Sequence, residues 1–263
     1  MRSTQSTLLE MYQSGEKIAV LTCYDACFST VLESAGVDVL LVGDSLGNVL
    51  QGNDTTLSVS LDDMCYHTRC VYAGTNKTFI MSDMPFGTFQ ASPEKAFENA
   101  SKLLAAGAQM VKIEGGRVMA ETIAFLTRRG IPVCAHIGLT PQSIHQLGGY
   151  KVQGKSEQAA KQLVDDALVL EKAGANMLLM ELVPTTLAKS ITDQLSIPTI
   201  GIGAGADCSA QVLVLHDILG LYPDKKPRFV KDFMIGSPTI QLAITNYVDE
   251  VKSGRFPGVE HQF

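Results

Sequence analysis

A repeated unit of glycine, short apolar run and polar residue constrains the fold of this chain more than any other feature. Three acids lie seven or eight residues after a glycine that follows an alanine: Asp44 after Gly36, Glu114 after Gly107 and Glu181 after Gly174. Glycine adopts the left-handed conformation at which helices commonly end. The runs between glycine and acid are apolar without alternation, which is typical of strands covered on both faces in a parallel sheet.

Further apolar runs bring the number of predicted strands to eight. They are Ile18–Leu21, Val39–Val42, Phe79–Ser82, Met110–Val111, Ile131–Val133, Met177–Met180, Ile197–Thr199 and Val212–Leu215. Helical patterns lie between them. Ser92-Pro93 predicts a capped helix start, and Ser237-Pro238 predicts the start of a C-terminal helix that reaches about Lys252.

Strands that alternate with helices predict βα units and a parallel sheet. A (β/α)₈ barrel typically needs about 250 residues, and this chain has 263, of which 46% are apolar. We therefore predict an α/β fold, a (β/α)₈ TIM barrel forming a single domain over residues 1–263, with an N-terminal helical segment and a C-terminal helix. A doubly wound open sheet is the alternative.

Composition narrows the possible partners and the compartment. The formal net charge is −6 and no basic stripe is present, so we expect no binding to nucleic acid. No apolar run approaches the roughly 18 residues of a membrane helix, and the first residues lack the apolar core of a signal peptide. None of the six cysteines forms a C-x-x-C pair. We expect reduced thiols and a cytoplasmic protein without a membrane partner.

Polar residues follow the predicted strands at the end where a barrel of this kind carries its active site. They are Asp44, Asp83, Lys112, Glu114, His136 and Glu181. The four acids among them would repel one another at one barrel mouth unless a cation compensated their charge. Oxygen ligands favour a hard ion, Mg²⁺ above all. The alternative is that single acids pair with arginine or cap a following helix.

Other readings of these motifs stay open at this stage. Lys112 and Glu114 share one side of a strand, where they form either a structural ion pair or a substrate-carboxylate site. His136 is either a hydrogen-bonded core histidine or a functional one. The glycines of the segment 201–205 indicate either a tight turn near the active site or, on weaker evidence, a phosphate loop.

Longer strings resemble the ketopantoate hydroxymethyltransferase family, in the same order, from about Ile18 to the end of the chain. Among them are Leu41-Val42-Gly43-Asp44-Ser45-Leu46-Gly47, Asp83-Met84-Pro85-Phe86, Val111-Lys112-Ile113-Glu114-Gly115-Gly116, His136-Ile137-Gly138-Leu139-Thr140-Pro141-Gln142, Gly148-Gly149-Tyr150-Lys151-Val152-Gln153-Gly154 and His216-Asp217. Ile137 replaces the leucine of the family's pattern, which is a conservative change.

The resemblance implies a reaction, its cofactors and an assembly. A hydroxymethyl group would pass from 5,10-methylenetetrahydrofolate to 3-methyl-2-oxobutanoate to give 2-dehydropantoate, through an enolate stabilised by Mg²⁺. It also implies one Mg²⁺ per subunit, small-molecule substrates and self-association into a homodecamer. The product belongs to pantothenate and coenzyme A biosynthesis.

The resemblance also implies roles for the strand-end residues. Asp44 and Asp83 match direct metal ligands that also meet the substrate, and Glu114 matches a third metal-site acid. Ser45, Lys112 and His136 would contact the substrate, and Glu181 would be the catalytic base that removes the C3 proton. Residues 148–154 would form a flexible flap.

Two rival functions remain at the level of sequence. Mg²⁺-dependent lyases and mutases of the isocitrate lyase and phosphoenolpyruvate mutase kind share the barrel and act on 2-oxo acids. The lyases carry a Lys-Lys-Cys-Gly-His loop that this chain lacks. A non-catalytic binding protein would leave the acids, lysine and histidine at the strand ends unexplained.

Overall fold

Eight parallel strands follow one another around a closed barrel in the computed structural model, which describes residues 2–221 and 226–263. The strands are β1 Ile18–Thr22, β2 Val39–Val42, β3 Phe79–Asp83, β4 Met110–Glu114, β5 Val133–Gly138, β6 Met177–Glu181, β7 Thr199–Ile202 and β8 Ala210–Leu213. β8 also pairs with β1 and closes the sheet. The predicted TIM barrel is therefore confirmed.

The helices surround this barrel. Within the described ranges they are α1 Gln5–Gln13, α2 Ala26–Ser34, α3 Leu46–Val49, α4 Leu61–Gly74, α5 Pro93–Ala105, α6 Ala120–Thr127, α7 Ile144–Leu147, α8 Glu157–Lys172, α9 Thr185–Gln194, α10 Leu215–Ile218 and α11 Ile240–Lys252. The connection from β7 to β8, residues 203–209, is a loop without a helix. No helix in the described part of the chain is long and apolar enough to span a bilayer.

Strands β4, β5 and β7 end three to five residues later than predicted, and two further boundaries differ for a reason that the contacts show. The eighth strand ends at Leu213, because the N–H of Leu215 donates to the Thr22 hydroxyl and the chain enters α10 there. The C-terminal helix begins at Ile240 rather than at Ser237-Pro238. Its N-cap is Thr239, whose hydroxyl accepts a hydrogen bond from the N–H of Leu242.

Strand alternation places one set of side chains inside the barrel and the other under the helices. The lower interior is apolar and includes Phe79, Met81, Met110 and Met177, all with at most 1% exposure. Leu8 of α1 belongs to the same cluster and closes the barrel floor. Each such side chain contributes roughly 1.5–3 kcal/mol on burial, so the lower barrel stabilises the fold and the upper interior is left for polar groups.

The six cysteines carry no disulfide. Burial raises the pKa of Cys23 and Cys134 to about 12 and that of Cys208 to about 11. These thiols are protonated at neutral pH and unreactive. This agrees with the prediction of reduced cysteines.

The first and last strands are held by one side chain of the C-terminal helix. The Tyr247 hydroxyl lies 2.8 Å from the carbonyl oxygen of Val20 on β1 and 2.9 Å from that of Gln211 on β8. Tyr247 is fully buried, so this hydroxyl requires a partner. The two carbonyl oxygens that it contacts lie at the junction that closes the barrel.

Candidate active site

The polar strand-end residues form one layer above the apolar interior. Alternation along β3, β4, β5 and β6 places Asp83, Lys112, His136 and Glu181 each two residues after an apolar interior side chain, and Glu114 two residues after Lys112. Strand pairing then sets them side by side, with Asp83 opposite Lys112 and Glu114 opposite His136. Sequence predicts the strand ends, and the barrel register makes neighbours of them.

Two buried carboxylates meet where β2 and β3 end. The Oδ2 atom of Asp83 accepts a hydrogen bond of 3.0 Å from the N–H of Asp44. Gly43 leaves room for this contact, since a Cβ there would lie 3.6 Å from the same oxygen and 2.8 Å from the Ser45 hydroxyl. Burial raises the pKa of Asp44 well above its ordinary value, and the charges of Asp83 and Glu114 raise it further.

Lys112 lies between the acids of β3 and β4. Its Nζ atom is 3.2 Å from Oδ1 of Asp83 and 3.5 Å from Oε1 of Glu114. Burial acts against the ammonium ion, but the charges of Asp83, Glu114 and Asp44 outweigh it and raise the pKa of Lys112. The lysine is therefore charged, and it compensates only part of the negative charge of three buried acids.

His136 connects this cluster to Glu181. Its Nδ1 atom lies 3.3 Å from Lys112 Nζ and 3.5 Å from Glu114 Oε1, and its Nε2 atom lies 3.4 Å from Glu181 Oε2. Burial and the Lys112 charge act to lower the pKa of His136, but Glu114 and Glu181 outweigh them and raise it to about 9. Lysine has no acceptor for a ring proton. In the imidazolium form, and in the neutral form that accepts from Lys112, the proton on Nε2 faces Glu181.

Two backbone hydrogen bonds, one on each side of β6, hold Glu181 in place. The carbonyl oxygen of Glu181 accepts from the N–H of Leu139, and the next residue, Leu182, donates to the carbonyl of Ile202. Leu182 has a φ of 47°, an uncommon conformation for a residue with a side chain. Gly138 is required beside this turn, because a Cβ there would lie 2.3 Å from the Glu181 carbonyl oxygen.

Ser45 is oriented by a tyrosine to which the sequence analysis gave no role. The Tyr24 and Ser45 hydroxyls are 2.8 Å apart. Burial raises the pKa of Tyr24, and the charges of Asp83 and Asp217 add to this effect. A neutral Tyr24 can donate to Ser45 Oγ, which leaves the serine hydrogen free to point into the cavity.

Gln142 is a second residue that sequence reasoning missed. Its backbone N–H donates to Glu114 Oε2 at 2.9 Å, and its side-chain Nε2 donates to Asp44 Oδ2 at 2.9 Å and to the Met84 carbonyl at 2.9 Å. It is 5% exposed. The only available signal was its place in a family-like string, because contacts between loops 98 residues apart leave no local pattern.

All the predicted site residues line one cavity of about 340 Å³ at the C-terminal mouth of the barrel. They are Asp44, Ser45, Asp83, Lys112, Glu114, His136 and Glu181. Tyr150 of the segment 148–154 lines the same cavity, and the N–H of Gln153 donates to the Leu182 carbonyl. The predicted flap therefore lies over the site, and its motion stays a prediction.

The donor set suits a hard cation that completes its shell with other oxygens. Among the residues described, no three acids, cysteines or histidines converge as a ready-made metal cage. Mg²⁺ usually takes only one or two carboxylates, with water or substrate oxygens. Asp83 Oδ1 is buried and lacks a well-directed hydrogen bond, even though Lys112 Nζ is 3.2 Å away. Asp44 and Asp83 thus fit the predicted ion.

The glycine segment after β7 is explained by packing. Gly203 and Gly205 have φ values of 60° and 90°. A Cβ at Gly205 would lie 2.5 Å from Thr185, and one at Gly203 would lie 2.8 Å from Leu182. The segment is a tight turn pressed against the residue that follows Glu181, as one of the two sequence readings predicts.

Together the fold and the site define a (β/α)₈-barrel enzyme with a buried acid–lysine–histidine cluster. The family model for ketopantoate hydroxymethyltransferase matches residues 2–259. The chain is 66% identical over 263 residues to the 3-methyl-2-oxobutanoate hydroxymethyltransferase of Nitrosospira multiformis, covering all of both chains. This chain belongs to the ketopantoate hydroxymethyltransferase family.

Solved structures with the same fold are more distant in sequence. Phosphonopyruvate hydrolase in complex with oxalate and Mg²⁺ has a TM-score of 0.62 at 14% identity, and 81% of each chain is covered. A 2,3-dimethylmalate lyase of the PEP mutase/isocitrate lyase superfamily has a TM-score of 0.61 at 18% identity, again over 81% of each chain. At these identities the likeness concerns the barrel alone. The alternative function as a lyase or mutase is therefore supported by a similar fold alone.

Proposed function

We propose that this chain transfers a hydroxymethyl group from 5,10-methylenetetrahydrofolate to 3-methyl-2-oxobutanoate, forming 2-dehydropantoate. The curated relative that is 66% identical over the full length carries the name of this activity. The observation that carries the proposal is that Asp44, Asp83, Lys112 and Glu181 line one cavity. This set can bind a 2-oxo acid and remove a proton beside its carbonyl group.

Asp44 and Asp83 would hold one Mg²⁺ per subunit, with Glu114 close by. The phosphonopyruvate hydrolase with a similar barrel was solved with oxalate and Mg²⁺, and oxalate resembles the oxygen pair of a 2-oxo acid. When bound, Mg²⁺ would polarise the 2-oxo group and make the C3 hydrogen more acidic. The Lys112 ammonium and the Ser45 hydroxyl would bind the substrate's carboxylate end.

Glu181 would accept the C3 proton. Water would add to the one-carbon unit, whose two C–N bonds to the folate break, so that formaldehyde forms and tetrahydrofolate leaves with the two protons of the water. The electron pair left at C3 would then form the bond to that carbon, and its oxygen would take up a proton to become the new hydroxyl group. The Nε2 atom of His136 lies 3.4 Å from Oε2 of Glu181, so the histidine can orient the carboxylate. A positioned base of this kind contributes about 10²- to 10⁴-fold in rate.

The assembly and compartment follow the same reasoning. We infer a homodecamer in the cytoplasm. Exposed aromatic side chains on one helix, Tyr66 at 58% and Tyr72 at 50%, support self-association. Six free thiols suit a reducing compartment. Analytical ultracentrifugation of the purified chain tests the decamer, and a monomer at micromolar concentration would contradict it.

Product formation is the direct test of the activity. Purified protein is stripped with EDTA and assayed with 3-methyl-2-oxobutanoate and methylenetetrahydrofolate, with and without added Mg²⁺. We expect 2-dehydropantoate only when Mg²⁺ is restored. Absence of product in both arms, together with cleavage of a larger 2-oxo acid, would favour the lyase alternative instead.

A further inference from the structure

The cavity at the barrel mouth has two unlike halves. The ends of β2 to β6 contribute the acids, the lysine and the histidine described above. The remaining wall is formed by the ends of β7, β8 and β1 and by the segment after α10, with the apolar side chains Ile202, Val212, Val214, Pro227 and Phe229. Since the oxo acid and its cation occupy the polar half, the apolar half is free for the second substrate.

One charged residue stands in this apolar half. Asp217 of α10 is the only charged side chain that the described residues of β7, β8, β1 and their following loops contribute to the cavity lining. Partial burial raises the pKa of Asp217 to about 6, and no hydrogen-bond donor or cation among the described residues acts against that effect. A half-buried carboxylate beside apolar walls is stabilised by a ligand that supplies hydrogen-bond donors to it.

We propose that Asp217 and the apolar wall around it bind the pteridine ring of the one-carbon donor. The ring's 2-amino group and neighbouring N3–H are parallel donors that match the two oxygens of a carboxylate. Its flat faces suit the walls made by Val212, Val214 and Phe229. This inference rests on the proposed function, because that function makes a reduced folate the second substrate.

The strand order supports the required distance to the reacting carbon. Asp217 follows β8 and Glu181 ends β6, so two strand spacings of roughly 5 Å each separate them along the wall. A fused bicyclic ring fits this separation. With its amino end at Asp217, the opposite edge, which carries the one-carbon unit, points towards the base and the substrate's C3. Reversal of the ring would place the reactive carbon away from Glu181.

The strength of such a contact is known in order of magnitude. Hydrogen bonds to a charged group contribute about 1.5–3 kcal/mol each. Asp217→Asn keeps the size of the side chain but turns one acceptor into a donor that faces a ring N–H. We expect the KM for methylenetetrahydrofolate to rise about 10- to 100-fold, whereas the KM for 3-methyl-2-oxobutanoate changes less than about twofold.

A folate-free measurement separates this inference from the proposed function. Exchange of the C3 proton of 3-methyl-2-oxobutanoate in D₂O with Mg²⁺ needs the polar half alone, so the Asp217→Asn protein should exchange at the wild-type rate. Asp207→Asn is the matched control, since Asp207 is exposed and precedes β8 at the other end of the barrel. The proposed subsite would be overturned if Asp217→Asn left the KM for methylenetetrahydrofolate unchanged. It would also be overturned if the variant lost C3 proton exchange to the same extent as it lost folate binding. No exchange by the wild type would instead overturn the proposed function.

A ligand series keeps the test valid if the variant folds poorly. Wild-type protein is titrated with tetrahydrofolate and with an analogue in which a methyl group replaces the 2-amino group. We expect the wild type to bind the analogue at least about tenfold more weakly and the Asp217→Asn protein to lose most of this discrimination. Equal binding of both ligands by the wild type would show that the Asp217 carboxylate does not bind the 2-amino group.

Discussion

The side-chain amide of Gln142 donates a hydrogen bond of 2.9 Å to Oδ2 of Asp44, across the barrel mouth from β5 to β2. The same residue donates its backbone N–H to Glu114. One residue thus orients two of the three acids proposed for the metal site. Groups that orient metal ligands commonly contribute 10- to 100-fold in metal affinity.

Gln142→Met should therefore weaken Mg²⁺ binding by about 10- to 100-fold while the barrel stays folded. The variant keeps the backbone contact to Glu114 and loses only the amide that faces Asp44 and Met84. Calorimetric titration of Mg²⁺ in the presence of 3-methyl-2-oxobutanoate measures the change. Gln194→Met is the control, since that glutamine is exposed on α9. Equal affinities of the two variants would remove Gln142 from the site.

Asp44→Asn and Asp83→Asn should each reduce Mg²⁺ affinity by roughly 100-fold or more, because each removes a charged oxygen from a site with few ligands. Asp44→Asn also relieves the repulsion from Asp83 and Glu114, whereas Asp83→Asn removes the carboxylate nearest to the Lys112 ammonium. The metal-free Asp44→Asn variant should consequently unfold at no lower temperature than the metal-free wild type, and the metal-free Asp83→Asn variant should unfold at a lower one. Calorimetry measures the Mg²⁺ affinity, and thermal unfolding measures the stability of the metal-free proteins. Wild-type metal affinity in either variant would refute the assignment of that residue.

Glu181→Gln should slow exchange of the substrate's C3 proton by about 10²- to 10⁴-fold, since an amide cannot accept the proton. Binding of Mg²⁺ and oxo acid should persist, because Asp44, Asp83 and Lys112 remain. Proton NMR in D₂O without folate measures the exchange directly. Exchange as fast as in the wild type would assign the base elsewhere, with His136 as the next candidate.

Glu33 offers a test of stability that does not involve the active site. Its carboxylate accepts hydrogen bonds from the Thr75 hydroxyl and from the N–H groups of Asn76, Lys77 and Thr78 just before β3. Partial burial acts to raise the pKa of Glu33, but these donors outweigh it and lower it to about 2. The stabilising effect is therefore complete above the unfolded-state pKa of about 4.3 and is lost as the pH falls towards 2.

Glu33→Gln should reduce the free energy of unfolding by about 1–2 kcal/mol at pH 7, a figure lowered to allow for solvent screening. The difference from the wild type should shrink as the pH falls from 4 to 2. Urea unfolding at several pH values measures it. Glu98→Gln, which loses only an exposed pair with Lys95, should change little at any pH. A pH-independent deficit in Glu33→Gln would contradict the assigned cause.

The strand ends could be predicted because each carries its own local signal. Asp44 and Glu181 each follow an unbroken apolar run, Asp83 follows an apolar run that ends in Ser82, and the runs are spaced as βα units require. The eighth strand was displaced by two residues because Val212–Leu215 is apolar throughout. Its true end depends on the Thr22 hydroxyl, 193 residues away in sequence. Thr239 and Ser237 are both suitable N-cap residues by sequence, and only the structure shows that Thr239 is the N-cap.

The contacts that complete the site could not be predicted, because they join different loops. Tyr24 meets Ser45, and Gln142 meets Asp44, only after the barrel has closed. The position of Asp217 in the cavity could not be predicted from the sequence either. The residue stands beside His216 in a family-like string, and only the folded barrel shows that it lines the same cavity as the acids.

The Tyr247 hydroxyl that bridges β1 and β8 has a consequence for the newly made chain. β1 ends at Thr22, so 225 residues must leave the ribosome before Tyr247 can secure the closing pair. At about 5–20 residues per second this takes roughly 10 to 45 s. Until β8 has been made, the outer edge of β1 has no partner strand, and an unpaired edge is a template for pairing with other chains. The first strand therefore stays open to pairing with other chains until β8 is made, and Tyr247 secures the closed barrel only when the last helix has been made.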